Sequence, residues 1–382
     1  MFAGIFMVEW AWKQMKVFRE VVEERDSQFP AYRRLDVQNW KRWKFYPGAA
    51  IVLPLRLILA FTTIMSIYLI IKQYLFISFI KYRVITIGHS FKDGKPLTGC
   101  RKPIIKFVYQ VACRFVAFFT GMSTGKVDRN DYNYEAFLGP DYKSQPTPNY
   151  VPTFVCNHTS WMDVLILIIH YAPAFAAKED LKNVPIFGLL CQYLGCIFIS
   201  RGATEEQRNR IIDQIEERQQ AIEYLGQYPP LCIFPEGGTT NGKHLITFKK
   251  GAFISDRCVR PLVLDFQYGM FSPAYDITPF LPLVVLQLSM FYTGRVNLIE
   301  LPAFQPNEYL YQKHADKGKE KWEIFAWAVR EAMADAAGMK ISNQPLREKM
   351  KYEVMLGQRA PEDAPSHESQ PLLAQQKNDL QA

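Results

Sequence analysis

His158 and Asp163 lie five residues apart in CNHTSWMD. A β-branched run, VPTFVCN (151–157), ends just before the histidine, and an apolar helical pattern, WMDVLILIIHY (161–171), begins just after it. Thr159 and Ser160 are natural caps for such a junction. With that spacing, a carboxylate in the first helical turn can come round to the imidazole. A carboxylate on one ring nitrogen fixes the tautomer and leaves the other nitrogen as a base. Such a base takes a proton from a hydroxyl as it attacks an acyl carbonyl, a service worth about 10²–10⁴-fold. Taken alone, the same residues also describe a histidine that merely caps a helix, because short motifs match by chance.

Two other stretches have the composition of anion sites. In FPEGGTTNGKHLITFKKGAF, residues 234–253, Gly237, Gly238 and Gly242 let backbone N–H groups approach an anion. Lys243, Lys249 and Lys250 add positive charge nearby. Glu236 can accept a hydrogen bond from a glycerol hydroxyl or brace the loop. An ordinary long turn would use the same glycines and asparagine. In GCIFISR, residues 195–201, Arg201 follows the carboxyl end of a strand, where α/β folds place ligands. Its planar fork suits phosphate. A solvated surface arginine is the plainer alternative. Ser123 completes a GxSxG pattern in GMSTG (121–125). A nucleophile elbow needs a strand before it and a helix after it. Here an amphipathic stretch precedes and KVDRNDYN follows, so Ser123 is not expected to be a nucleophile.

These side chains need a scaffold. Besides 151–157, strands are expected at CIFIS (196–200), LCIF (231–234), PLVLDF (261–266) and VNLIEL (296–301). The segment 204–225 is a helix with Thr204 as N-cap, Gln207 closing a capping box, and Ile211, Ile215, Ile222 and Leu225 on one face. KEKWEIFAWAVREAMADAA closes the domain as another helix. Alternating strands and helices imply an α/β fold, a central mixed sheet flanked by helices, over residues 149–340. Residues 341–382 turn polar, and PEDAPSHESQ reads as a disordered tail.

The amino-terminal part is different. Residues 1–46 read as an amphipathic region without signal-peptide features. Residues 47–80 are a membrane hairpin or a transmembrane segment, so N-terminal membrane-embedded helices are expected. Its uncharged stretch, Leu57–Ile71, has 15 residues, and a straight span needs about 20. Arg56 and Lys72 can lengthen it by snorkelling. Both flanks are basic, with Arg33, Arg34, Lys41, Arg42 and Lys44 before and Lys81, Arg83, Lys92, Lys95, Arg101 and Lys102 after. Positive residues prefer the cytoplasmic side, which favours a hairpin bent near Pro54. On length alone a single tilted span fits equally well. Residues 81–148 form a linker with an interfacial or core helix at Ile104–Phe119.

The whole composition agrees with a membrane setting. The chain has 382 residues, 49% hydrophobic and 14% aromatic, with a formal net charge of +8. Its cations are scattered, which disfavours nucleic acid and suits an anionic membrane surface or a phosphate-bearing substrate. Seven cysteines, an odd number without a CxxC pair, argue for a reducing compartment and against a disulfide framework. No metal is expected, since metal-ligand spacing is absent. His170, His244, His314 and the cysteines, Cys156 included, are expected to be structural or solvated.

In order, NHTSWMD, GCIFISR, FPEGGTTN and VRPLVL resemble the four motifs of the glycerolipid acyltransferase superfamily, which includes the acylglycerol-phosphate acyltransferases. The first matches at His158 and Asp163, the second at Gly195, Phe198 and Arg201, the third at Pro235, Glu236 and Gly237, the fourth at Pro261. Four ordered motifs within about 110 residues are far more specific than any one. The resemblance spans residues 100–340. The third motif departs from the phosphatidate-forming branch, which usually has an arginine where this chain has Thr239. It is similar instead to the lysophosphatidylcholine and lysophosphatidylethanolamine acyltransferase branch. Without that arginine, a bidentate partner for a phosphomonoester is missing, and a phosphodiester with a cationic head group is compatible. There is no EF-hand-like loop, so calcium regulation through one is not expected.

The resemblance implies direct, metal-free transfer of an acyl group from acyl-CoA to the free hydroxyl of a lysophospholipid, in phospholipid synthesis or remodelling. His158 deprotonates the hydroxyl and Asp163 orients His158. Arg201, Glu236, Gly237, Gly238, Thr239 and Pro261 form the substrate-binding set. Acyl-CoA is a co-substrate, and no cofactor is implied. An endoplasmic reticulum membrane with the catalytic domain facing the cytosol is expected, with Golgi and lipid droplet open. Asn157 is formally a glycosylation site and, on the cytosolic side, would stay bare. The rivals are a lysophosphatidic acid or glycerol-3-phosphate acyltransferase, a CoA-independent transacylase, and a non-catalytic membrane or lipid-droplet protein.

Overall fold

Seven strands make one mixed sheet in a computed structural model that describes residues 2–59, 61, 62, 65, 101–144, 148–184, 187–199, 204–226 and 228–360. The strands are β1 (Met122–Arg129), β2 (Thr153–Cys156), β3 (Ala174–Lys178), β4 (Ile197–Ile199), β5 (Leu231–Ile233), β7 (Val259–Gln267) and β8 (Gly294–Glu300), in the spatial order β1-β8-β7-β2-β5-β3-β4. Two short strands, β6 (His244–Leu245) and β9 (Lys340–Ile341), pair separately. β2 is central. It runs parallel to β5, with Thr153 opposite Leu231, and parallel to β7, with Thr153 opposite Val259. β7 and β8 are antiparallel. The mixed sheet expected from the sequence is therefore present.

β2 is short but buried along its whole length, as a strand covered on both faces must be. Its alternate residues enter different cores. Val155 meets Ile233, Val263 and, from the closing Lys321–Ala337 helix, Phe325 and Val329. Phe154 and Cys156 meet Met162 and Ile166 of the Met162–His170 helix and Tyr109 and Cys113 of the Arg101–Phe119 helix. In the latter helix one face is core, while Phe107, Phe115 and Phe118 are exposed. The Glu205–Leu225 helix starts with the expected box. Thr204 Oγ1 accepts the Gln207 N–H at 3.3 Å, and Gln207 Oε1 accepts the Thr204 N–H at 2.9 Å.

Both ends of the chain depart from expectation. The amino-terminal region is more than an amphipathic surface segment. Val8, Met15, Phe29, Tyr32 and Phe45 are buried in a third core with Phe271, Leu283 and Leu286. Part of the segment expected to be polar tail from residue 341 is folded. Leu346–Met355 is a helix, Tyr352 stacks on Phe29 at 4.6 Å between ring centroids, and its hydroxyl donates to Asp26 Oδ1 at 2.8 Å. Only a few apolar anchors sit among charged neighbours there, so composition hid the helix. Residues 361–382 lie outside the described residues, as does most of 47–80. Among the described residues no helix is long and apolar enough to cross a membrane. Residues 46–59 are helical. Arg56 does not snorkel: its guanidinium is buried and donates to the carbonyls of Leu288 (2.8 Å), Met290 and Phe291 (2.9 Å). Those carbonyls, at the end of the Phe280–Leu288 helix, would otherwise lack partners.

Candidate active site

The site is built where β2 stops. Asn157 continues the ladder with its side chain: Oδ1 accepts the Leu264 N–H at 2.8 Å and Nδ2 donates to the Leu264 carbonyl at 3.0 Å. The chain then turns into the helix that opens at Met162. Asp163 lies in its first turn and is 0% exposed. One oxygen, Oδ2, accepts the N–H groups of Thr159 (2.7 Å) and Ser160 (2.9 Å) and faces His158 Nδ1 at 2.7 Å. The unsatisfied N–H groups of a helix start favour a negative carboxylate there.

An ionised carboxylate only accepts, so Nδ1 carries the proton and Nε2 presents a lone pair. The imidazole is 23% exposed. It stacks on Phe234, with ring centroids 4.1 Å apart and planes within 17°. The pair therefore leaves Nε2 without a hydrogen-bond partner among the described residues, while the other side of the ring is fixed.

The backbone of His158 is pinned as firmly. Its N–H donates to Glu236 Oε1 at 2.8 Å, and its carbonyl accepts the Thr240 N–H at 2.9 Å. Glu236 Oε2 accepts the Ile246 N–H at 3.3 Å. Glu236 is 0% exposed, so of the two roles open to it from sequence, the geometry is that of the brace. Burial pushes its carboxyl up to about 8, with the N–H donors of His158 and Ile246 opposing and Asp163 adding to the rise.

The other residues of the third motif are similarly occupied. The Gly237 N–H donates to the Phe234 carbonyl at 3.0 Å, closing a turn rather than a cradle. Leu346 covers Gly238. Gly242 has φ +75°, and a Cβ there would lie 2.7 Å from Thr159 Cγ2. That close approach presses the glycine-rich loop onto the His158 turn. Thr239 is buried, and its carbonyl and hydroxyl accept from Lys349 Nζ at 3.0 and 2.9 Å. A cation thus stands at Thr239 after all, supplied by the Leu346–Met355 helix. Pro261 is buried inside β7 opposite Val155, with its carbonyl accepting the Leu301 N–H at 3.0 Å. It shapes the sheet and does not reach the site. Arg201 lies outside the described residues. Ser123 is in β1, with its hydroxyl 3.1 Å from that of Tyr292. A strand where the elbow needs a turn removes the hydrolase reading.

Sequence reasoning missed a second layer. The segment 272–276 holds the His158 turn from the far side: Ser160 Oγ donates to the Pro273 carbonyl at 2.7 Å, and the Tyr275 N–H donates to the Thr159 carbonyl at 2.8 Å. Arg34 holds that segment. It donates to Asp36 Oδ1 at 2.6 Å, to the Ala274 carbonyl at 2.7 Å and to Asp276 Oδ2 at 3.4 Å. Asp36 Oδ2 in turn accepts the Ser272 N–H at 2.6 Å and Trp40 Nε1 at 2.8 Å. Asn241 ties the glycine-rich loop to the same region, donating to the Pro30 and Arg33 carbonyls at 2.7 and 3.0 Å. The signal available was an arginine two residues from an aspartate among aromatics, which membrane-flanking charge also explains.

Residues 145–264 match the acyltransferase family model, a range that includes His158, Asp163 and Glu236. The chain is 25% identical over 365 residues to the lysophospholipid acyltransferase LPEAT1 of Arabidopsis thaliana, covering 88% of each chain. It is 30% identical over 262 residues to lysophosphatidylcholine acyltransferase 1 of Homo sapiens, covering 68% of this chain and 44% of that one. Residues 145–264 are an acyltransferase domain. The chain spans most of the plant relative and less than half of the human one. The crystal structure of the 1-acyl-sn-glycerophosphate acyltransferase PlsC of Thermotoga maritima aligns with 75% of this acyltransferase and 100% of that chain, at a TM-score of 0.41 and 18% identity.

Proposed function

We propose that this acyltransferase moves a fatty acyl group from acyl-CoA to the free hydroxyl of a lysophospholipid, with lysophosphatidylcholine or lysophosphatidylethanolamine as acceptor. The observation that carries the reading is the 2.7 Å contact between His158 Nδ1 and the buried Asp163 carboxylate, with Nε2 unpartnered among the described residues. His158 Nε2 takes the acceptor's hydroxyl proton as the oxygen attacks the thioester carbonyl. The carbon–sulfur bond breaks, and the imidazolium returns the proton to the departing CoA sulfur. Asp163 keeps the tautomer correct and stabilises the transient imidazolium. Glu236 holds the His158 backbone rather than the lipid.

The acceptor class is supported by Thr239, which leaves the third motif without its own arginine, and by the names of the relatives. A membrane seat is supported by apolar side chains more than half exposed on three helices: Phe2 and Phe6, Ile51 and Ile58, Phe107 and Phe118. In this reading segment 47–80 holds the site at the bilayer. The enzyme resides in the endoplasmic reticulum membrane with His158 facing cytosolic acyl-CoA, and Asn157, buried against Leu264, stays unglycosylated. A matrix of lysophospholipids against acyl-CoA esters, run with the purified protein in vesicles, tests the substrate class. Product is expected with phosphodiester acceptors and added CoA ester. Product only with lysophosphatidic acid or glycerol 3-phosphate, or product without any CoA ester, would overturn this reading.

A further inference from the structure

Four of the cysteines, Cys113, Cys156, Cys232 and Cys258, are buried, as expected of core residues; Cys191 and Cys196 are only partly buried, and all six are free thiols. These two are placed by a helix ending. The Phe187–Leu194 helix stops at Gly195, whose φ is +75°. The Cys196 N–H donates to the Cys191 carbonyl at 2.9 Å, and the Gly195 N–H donates to the Gln192 carbonyl at 3.0 Å. These are the paired 6→1 and 5→2 bonds of a Schellman ending. That ending packs the side chain just past the glycine against the one four positions before it, and the contact is usually apolar. Here both side chains are thiols, and each shifts the acidity of the other.

We propose that Cys191 and Cys196 are a redox-modification site that closes reversibly to a disulfide when the protein meets a hydroperoxide. The Cys191 thiolate attacks the peroxide oxygen, giving a sulfenic acid and releasing water after protonation. The Cys196 sulfur then attacks the sulfenic sulfur, expelling a second water and leaving the disulfide. Two thiols and one hydroperoxide thus give one disulfide, one water and one water or alcohol. The order of events follows from the environments. Cys196 lowers the Cys191 pKa, whereas Cys191 and burial raise that of Cys196. A lowered, accessible thiol beside a resolving thiol is the arrangement of a redox sensor. Burial pushes the thiols of Cys113, Cys156, Cys232 and Cys258 up and keeps them inert. A reducing compartment reopens the bond, which suits a signal rather than a structural link. The corner also adjoins the candidate site: Cys196 Sγ accepts the Phe175 N–H at 3.4 Å, Phe175 lies parallel to Phe234 at 6.2 Å, and Phe234 stacks on His158.

Both thiols fall in one tryptic peptide, Asn183–Arg201. The test treats the reduced full-length protein with hydrogen peroxide, quenches it in acid, alkylates it under denaturing conditions and weighs its peptides. This peptide is expected to lose both alkyl labels and two hydrogens, and to regain the labels after dithiothreitol, while the four buried cysteines stay alkylated. Cys196→Ser is expected to leave a sulfenic acid on residue 191 that dimedone traps, and Cys191→Ser to leave residue 196 alkylated. Full alkylation of the wild-type peptide after peroxide, a sulfinic acid at Cys191 beside an alkylated Cys196, or a bond from either thiol to another cysteine would overturn the proposal.

Discussion

One carboxylate oxygen of Asp163 serves three donors, and that concentration makes an asparagine substitution diagnostic. In Asp163→Asn the amide oxygen still satisfies the Thr159 and Ser160 N–H groups, which lie 2.7 and 2.9 Å from Oδ2. The shape of the turn is therefore kept. The neutral amide oxygen can still accept from His158 Nδ1, but the imidazolium formed during transfer loses the support of a negative charge. Turnover is expected to fall by about 10²–10⁴-fold, the range of a lost general base, with acyl-CoA affinity nearly unchanged. Comparing single-turnover rates with equilibrium CoA-ester binding checks both halves. Glu236 makes a different prediction. Its carboxyl is raised from 4.5 to about 8 in the folded protein. The folded state thus holds a proton that the unfolded state releases, so this group's stabilisation is complete below pH 4.5 and declines as pH rises toward 8. The slope is at most about 1.4 kcal/mol per pH unit. Urea unfolding between about pH 5 and pH 8 is expected to lose this part of the slope in Glu236→Gln. His158 and Asp163 were legible in the sequence because their meeting is local. Glu236 bonds a backbone N–H 78 positions away, and sequence left brace and substrate contact open.

Among the elements, the shortest ones position the most. β2 has four residues, yet its end sets His158, and the loop after β5 closes over it only because Gly242 lets the two backbones approach. Gly242→Ala puts a methyl 2.7 Å from Thr159 Cγ2 at a backbone φ of +75°. Strain of about 1–3 kcal/mol is expected, with activity falling more than stability, because Thr159 supplies one of the Asp163 donors. Thermal melts beside initial rates measure the two. Strands β2, β4, β5, β7 and β8 were readable from apolar runs, and the Glu205–Leu225 helix from its cap and apolar face. β1 and β3 were not. MSTGKVDR is an edge strand exposed along much of its length, and AFAAK is alanine-rich, so neither has a β-branched apolar run.

At the scale of the molecule, the amino-terminal segment and the Leu346–Met355 helix clamp the loops that hold His158. The contacts that do so join residues more than 100 positions apart, such as Lys349 with Thr239 and Arg34 with the Ala274 carbonyl. No local pattern announces them, which is why Arg34 read as a membrane-flanking charge and residues 346–355 as tail. Arg34→Met leaves the carboxylates of Asp36 and Asp276 buried without their cation. A loss of about 3–5 kcal/mol is expected, read as a lower urea midpoint. Asp276, already raised by burial and restrained by Arg34, should then take up a proton, so acidification should restore part of the loss. Sheet, loops and clamp converge on a single imidazole. The most direct measurement is therefore acyl transfer by His158→Ala, in vesicles, with each CoA ester and lysophospholipid that the wild type uses. Folding is confirmed by an unchanged melt. The account predicts product falling by about 10²–10⁴-fold with every acceptor; transfer at the wild-type rate by that folded variant would contradict it.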